Sequence, residues 1–176
     1  MRRQLLKLIA VLPWTGGCTA VPAGKQDELL RRFRGIPLIL VVDAVPGAEI
    51  RGVVFYDDRG AMIYAKSLVA RRTREIMALG SPRIPLTVRV LWREGAGWDA
   101  ARKRWNEGTI AGDYTIPIAE RIPDAVINDI RLRGGGLRLK FRLKPDGVLF
   151  GWDIQRSDGA LSRFDMPGGD FLETRY

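Results

Sequence analysis

Strict alternation of apolar and charged positions is clearest towards the end of the chain. Leu137, Leu139, Phe141 and Leu143 alternate with Arg138, Lys140, Arg142 and Lys144; after Pro145-Asp146-Gly147, the residues Val148, Phe150, Trp152 and Ile154 alternate in reply. A period of two places successive side chains on opposite faces of a strand, and Pro-Asp-Gly is turn chemistry. The stretch therefore predicts a β-hairpin over 137–156 with one apolar face and one cationic, outward face. Residues 36–45 are apolar on both alternations, as expected of a central strand covered on both sides. Pro46-Gly47 suits the centre of a type II turn into a strand over 50–56, and the Asp57 to Gly60 turn leads to another over 61–69, completing a three-stranded meander. Residues 71–79 read as a helical turn or a weak strand. Leu86, Val88, Val90 and Trp92 alternate with Thr87, Arg89, Leu91 and Arg93 as a half-buried strand. Tyr114, Ile116 and Ile118 mark a further strand, which Pro117 confines to a sheet edge.

Helical spacing is confined to short stretches. Leu29, Leu30 and Phe33, with Gly35 beyond them, predict a helix over 27–33. Pro123-Asp124 opens a second, with Val126, Ile127 and Ile130 as its buried stripe and Gly134 as its end. Trp98, Ala101 and Trp105 also share a helical face, with Arg102, Lys103 and Arg104 around it. Two readings stand: a short helix or loop that covers one end of the core, or an exposed segment suited to a headgroup layer. From Ser157 onward, Asp158-Gly159 and Pro167-Gly168-Gly169 predict an irregular tail. The expected fold is all-β to α+β: an antiparallel β-sandwich of about seven strands with one or two short covering helices, in a single domain over 36–176. The alternative is one curled antiparallel sheet with a helix across its concave face.

The first residues follow a different logic. Arg2, Arg3 and Lys7 surround the short apolar run from Leu5 to Trp14, which gives way to Thr15-Gly16-Gly17 before Cys18, the only cysteine. This order resembles a bacterial lipoprotein signal over 1–17, with Cys18 as the lipidated residue and 18–35 as tether and short helix. An uncut membrane anchor and a cleaved signal that leaves a free thiol are the other readings. Arg2-Arg3-Gln4-Leu5-Leu6-Lys7 also resembles a twin-arginine export motif that lacks the usual preceding Ser or Thr. A lone cysteine forms no internal disulfide, and acylation would remove an exposed thiol from an oxidising compartment. Thr19 after the cysteine resembles lipoproteins sorted to an outer membrane. The formal charge is +9, and loss of Arg2, Arg3 and Lys7 with the signal leaves +6, still basic. Expected partners are a lipid bilayer through Cys18, anionic lipid or polymer, or the acidic face of a protein; export argues against nucleic acid.

Histidine is absent from the chain. Ser-His-Asp and Cys-His machinery is therefore excluded, as are the usual zinc sites. Asp57-Asp58, followed by Arg-Gly between two apolar runs, reads as a turn before it reads as a carboxylate pair. Gly134-Gly135-Gly136 lacks the Lys-Ser or Lys-Thr of a phosphate loop and reads as a helix end running into a strand. The chain is thus expected to be no enzyme, with no catalytic residue, metal or cofactor. The candidate partner-binding residues are Arg138, Lys140, Arg142 and Lys144 of the cationic hairpin face, Arg89 and Arg93 as an extension of it, and Trp98 and Trp105. The same cationic face also serves, on a second reading, simply to keep a sheet from pairing with other sheets.

Ile84-Pro85-Leu86, the strand through Val88, Val90 and Trp92, Ile122-Pro123, Leu139-Lys140, Pro145-Asp146-Gly147-Val148 and Gly151-Trp152 together resemble a group of small bacterial lipoproteins. Some of that group lie near type VI secretion effectors. The resemblance runs from Ile84 onward and implies an immunity lipoprotein, a periplasm-facing inhibitor that binds and blocks a delivered, envelope-targeting toxin. It supplies no functional residues to carry over. The alternative is a structural or accessory envelope lipoprotein that holds a basic sheet face against anionic lipid or polymer.

Overall fold

The computed structural model describes residues 23–71, 75–79, 83–158 and 161–174; the expected export signal over 1–17, Cys18 and residues 19–22 of the expected tether lie outside them. Helix α1 spans Ala23–Arg32, so it starts four residues earlier than the leucine spacing indicates and takes in part of the expected tether. Strands β1 (Leu38–Ala44), β2 (Glu49–Asp57), β3 (Met62–Ala70), β4 (Glu75–Ala78) and β5 (Thr87–Glu94) follow. Short strands β6 (Gly97–Asp99) and β7 (Arg104–Asn106) precede β8 (Thr109–Pro117), a single 3-10 turn and helix α2 (Asp124–Arg133). The chain continues through β9 (Gly136–Lys144), β10 (Gly147–Asp158) and β11 (Leu161–Gly169).

Two sheets pack face to face, in the orders β11-β10-β9-β1-β4 and β3-β2-β5-β8. Their inner faces share one core, at whose centre the Phe55 ring meets Phe141 edge-on at 5.1 Å and Phe141 meets Phe150 at 5.2 Å. The architecture is the expected sandwich with two covering helices. Val126, Ile127 and Ile130 form the buried stripe of α2, and the helix ends at Gly134, whose φ of 75° suits glycine. Arg32 joins the helices: its guanidinium donates to the Ile122 carbonyl at 2.6 Å and pairs with Asp124 at 2.7 Å.

Four local expectations are corrected. The Pro46-Gly47 turn forms, with the Ala48 amide donating to the Val45 carbonyl at 3.1 Å, but β1 and β2 enter different sheets instead of a meander. Strand β1 lies parallel to β9, Leu38 opposite Leu137 through Ala44 opposite Leu143, so the larger sheet is mixed and not wholly antiparallel. The segment carrying Trp98 and Trp105 is a β-ribbon, with the two tryptophans directly opposite each other, and not a helix. The chain beyond Ser157 adds β11 to the sheet edge, where Pro167 removes no ladder bond that a neighbour needs.

One packing device recurs in both sheets. Trp92 lies across its cross-strand partner Gly112, where a Cβ would sit 2.1 Å from the indole, and Trp152 covers Gly168, where a Cβ would sit 2.5 Å away. Each glycine leaves a flat seat on the pleated surface, and each indole fills it. The glycines that look like tail-breakers from composition are therefore part of a strand.

Candidate functional site

The cationic row of β9 is buried, contrary to the expected outward face. Arg138, Lys140 and Arg142 are 1%, 0% and 5% exposed. Arg142 makes a bidentate pair with Asp43 of β1 (3.0 and 2.9 Å), and Arg138 makes one with Asp153 of β10 (2.5 and 2.7 Å). The Lys140 ammonium stands 3.0 Å from the same Asp153 carboxylate. Register produces these pairs, because Asp43 is directly opposite Arg142 and Asp153 directly opposite Arg138.

Residues 171–174 run across this row as a strap. Lys140 donates to the Glu173 carbonyl at 2.8 Å, Arg138 to the Thr174 carbonyl at 2.9 Å, and the Glu173 carboxylate reaches Arg142 at 2.8 Å. The Phe171 ring lies 4.9 Å from the Lys140 nitrogen and 4.5 Å from the Arg142 guanidinium, while Arg138 stacks 3.9 Å above Phe164. Burial pushes the Lys140 ammonium below the ordinary lysine value; Asp153 opposes that shift, and Arg138 and Arg142 add to it. Burial also works against the Arg142 charge, but the hydrogen bonds to Asp43 and Glu173 outweigh it and raise its pKa. The hydrogen bond from Arg142 holds the Glu173 carboxyl below its ordinary value.

The lowered Lys140 value has a definite sign in stability. Between the folded value and the ordinary lysine range, the unfolded chain holds a proton that the folded chain has released, so stability rises with pH there. Measured by urea unfolding across the alkaline range, wild type is expected to gain on Lys140→Met as the pH climbs towards about 10. A pH-independent difference between the two would show that the ammonium is not penalised by the fold.

The other candidate residues are dispersed. Lys144 is half-buried at the end of the row and pairs with Asp146 of the hairpin turn at 3.1 Å. Arg89 and Arg93 do not extend the row, because β5 belongs to the other sheet and presents them on the opposite outer face of the sandwich. There Arg89 forms a bidentate pair with Asp113 (2.8 and 2.6 Å), and Arg93 lies 3.8 Å from Glu107. Asp57 and Asp58 act as turn residues. Asp57 accepts the Arg59 and Ala61 amides, and Asp58 accepts Arg83 (3.0 and 2.6 Å) and the Leu86 amide, tying the turn to the start of β5.

The exposed chemistry collects at the β6–β7 ribbon. Trp98 is 64% exposed, and Arg102, Lys103 and Arg104 are exposed at the tip with Asp99 the only acid between the two tryptophans. The ribbon is well braced. Asp99 accepts the Ala101 and Arg102 amides at 3.1 and 3.0 Å, Lys103 takes a left-handed turn at φ 50°, and at the root Asn106 bonds both the Gly108 amide and the Gly95 carbonyl. A Cβ on Gly108 would lie 2.1 Å from the Glu94 carbonyl oxygen, so only glycine closes this root. Beside it, on the outer face of the four-stranded sheet, an open groove of about 620 Å³ is lined by Arg51, Val54, Lys66, Arg93 and Glu107 among others.

Sequence reasoning missed Asp43, Asp153, Phe171 and Glu173. Asp43 carried a usable signal, as the one acid in a strand otherwise apolar on both faces, where it calls for a cation opposite; Asp153 carried none, because its face of the hairpin reads as solvent-facing. Phe171 and Glu173 carried none, because nothing local says that a tail folds back. No family model, curated protein or solved structure matches the chain.

Proposed function

We propose that the chain is a lipid-anchored, periplasm-facing binding protein of the immunity or inhibitor type, and that the β6–β7 ribbon with its adjoining groove is the surface that meets an acidic face of a delivered effector. The observation that carries this reading is Trp98, a large apolar side chain left exposed on a braced ribbon beside three cations. A tryptophan has only two side-chain torsions to fix on binding, and such residues dominate interface energies. The cations steer an acidic partner into register and set the salt dependence of its arrival. The export signal and Cys18 support the envelope location, and the resemblance from Ile84 onward supports the immunity role.

An accessory lipoprotein bound to anionic lipid is the second reading. The basic sheet face no longer favours it, since that face is covered; tryptophan beside arginine on the ribbon does. Among the described residues, no helix is long and apolar enough to cross a membrane.

The test uses the bacterium that carries the chain. Cells lacking it are expected to be killed by sister cells that deliver the effector, to be rescued by wild type, and not to be rescued by Cys18→Ala or by Trp98→Ala/Arg102→Glu/Lys103→Glu. Fatty-acid labelling should mark wild type and miss Cys18→Ala. Equal survival without the chain would sink the immunity role. Ribbon-dependent binding to anionic but not neutral vesicles would favour the lipid reading in its place. In a purified complex, Trp98→Ala should weaken affinity by about 2 kcal/mol or more, and the charge reversal should slow association and flatten its salt dependence.

A further inference from the structure

The row beneath the strap has the composition of a recognition site more than that of a core. Among the described residues of the sheet, Arg138, Lys140 and Arg142 pair with two carboxylates, Asp43 and Asp153. Glu173 of the strap adds a third carboxylate, which reaches Arg142 at 2.8 Å and is shared with Arg71 at 3.5 Å. A sheet face that needed only cover would be served at least as well by apolar side chains, because burying ion pairs seldom adds net stability over a hydrophobic replacement.

The strap is also held in the way a bound peptide is held. Asp170 fixes its start: the Asp170 amide donates to the Phe150 carbonyl, the Phe150 amide donates to the Asp170 carboxylate, and Arg121 grips that carboxylate at 2.6 Å. Beyond Asp170, residues 171–174 join no strand. Their contacts with the row are one aromatic ring over two cations, two main-chain carbonyls accepting from side chains, and one carboxylate on Arg142. Gly151 makes room for the ring, since a Cβ there would lie 3.0 Å from the Phe171 carbonyl oxygen and 3.3 Å from its ring. Leu172, between the two anchors, is 63% exposed and points away.

We propose that this trough is a binding site for a partner segment bearing an aromatic residue and, two positions later, an acid, and that 171–174 occupies it as a displaceable strap. The strap then sets the affinity. A partner segment meets only the fraction of molecules whose trough is open, so its apparent dissociation constant rises as the strap tightens. The site is independent of the ribbon and of the state of Cys18.

The experiment is a fluorescence titration of full-length protein with a labelled peptide of residues 170–176. Phe171→Ala/Glu173→Ala is expected to bind the peptide at least about tenfold more tightly than wild type, because its own strap competes less. Peptides with the phenylalanine changed to alanine, or the glutamate to lysine, should lose that binding. Glu173→Gln, which keeps the shape and removes the charge, serves as the milder variant and should show a smaller gain in the same direction. If both variants melt as folded proteins and neither binds the peptide better than wild type, the strap is a permanent part of the fold and the proposal fails. Binding indifferent to the peptide changes would mark non-specific charge attraction and overturn it as well. A wild-type dimer formed by exchange of straps would make a second copy the occupant, and the foreign-segment proposal would fall.

Discussion

Asp153→Ala is expected to lower the unfolding free energy by about 3–5 kcal/mol, the range observed when one partner of a buried ion pair is removed. The carboxylate is fully buried and serves two cations at once, with Arg138 at 2.5 and 2.7 Å and Lys140 at 3.0 Å. Without it, a guanidinium and an ammonium remain in a site with little access to water, where the strap carbonyls and the Phe164 and Phe171 rings face them. Lys140 has a way out, since its proton is already held less firmly than in an ordinary lysine; Arg138 has none. Urea unfolding monitored by tryptophan fluorescence measures the loss. Replacing all three charges by apolar side chains, in Arg138→Met/Lys140→Met/Asp153→Leu, should restore much of the stability, because the desolvation cost disappears along with the attraction. A single Asp153→Ala variant as stable as wild type would show that the trough is open to water and not buried as described.

Phe141→Ala is expected to cost about 3–5 kcal/mol by a different route, the loss of buried apolar contacts together with the cavity left behind. Phe141 is 1% exposed on a central strand and links the two sheets through its edge-on contact with Phe55, while packing against Phe150 on the neighbouring strand. Surrounding strands hold their positions through the sheet ladders, so the void collapses only in part. A double-mutant cycle with Phe55→Leu isolates the ring-ring contribution, expected at about 0.5–1.5 kcal/mol. Phe141→Leu, which keeps much of the volume, should lose markedly less than the alanine variant. Equal losses in the two would place Phe141 outside the shared core.

Much of the outline was legible along the chain. The 137–156 hairpin, the central strand through Leu40 and Val42, the edge strand ending at Pro117 and the α2 stripe all form where periodicity and turn residues indicate. These are local matters: whether side chains repeat every two residues or every three to four, and where proline or glycine stops the repeat. The ribbon at Trp98 was misread because two tryptophans seven residues apart satisfy helical spacing and also the pairing of a short hairpin. Backbone bracing by Asp99, Asn106 and Gly108 selects the hairpin.

The cationic row shows where such reading stops. Alternation in β9 correctly separates its two faces but says nothing about which of them meets water, because that depends on residues distant in the chain. Strand β1 reaches β9 across roughly a hundred residues and brings Asp43 to Arg142, and the strap folds back from beyond β11 to cover both. Local spacing and composition suffice for the 137–156 hairpin, the central strand, the turns, the two covering helices and the basic character of the protein, because each depends on residues close together in the chain. The enclosure of the basic face and the exposure of the ribbon follow from long-range packing, because burial is a property of what comes to lie on top of a residue, not of the residue or its neighbours in the chain.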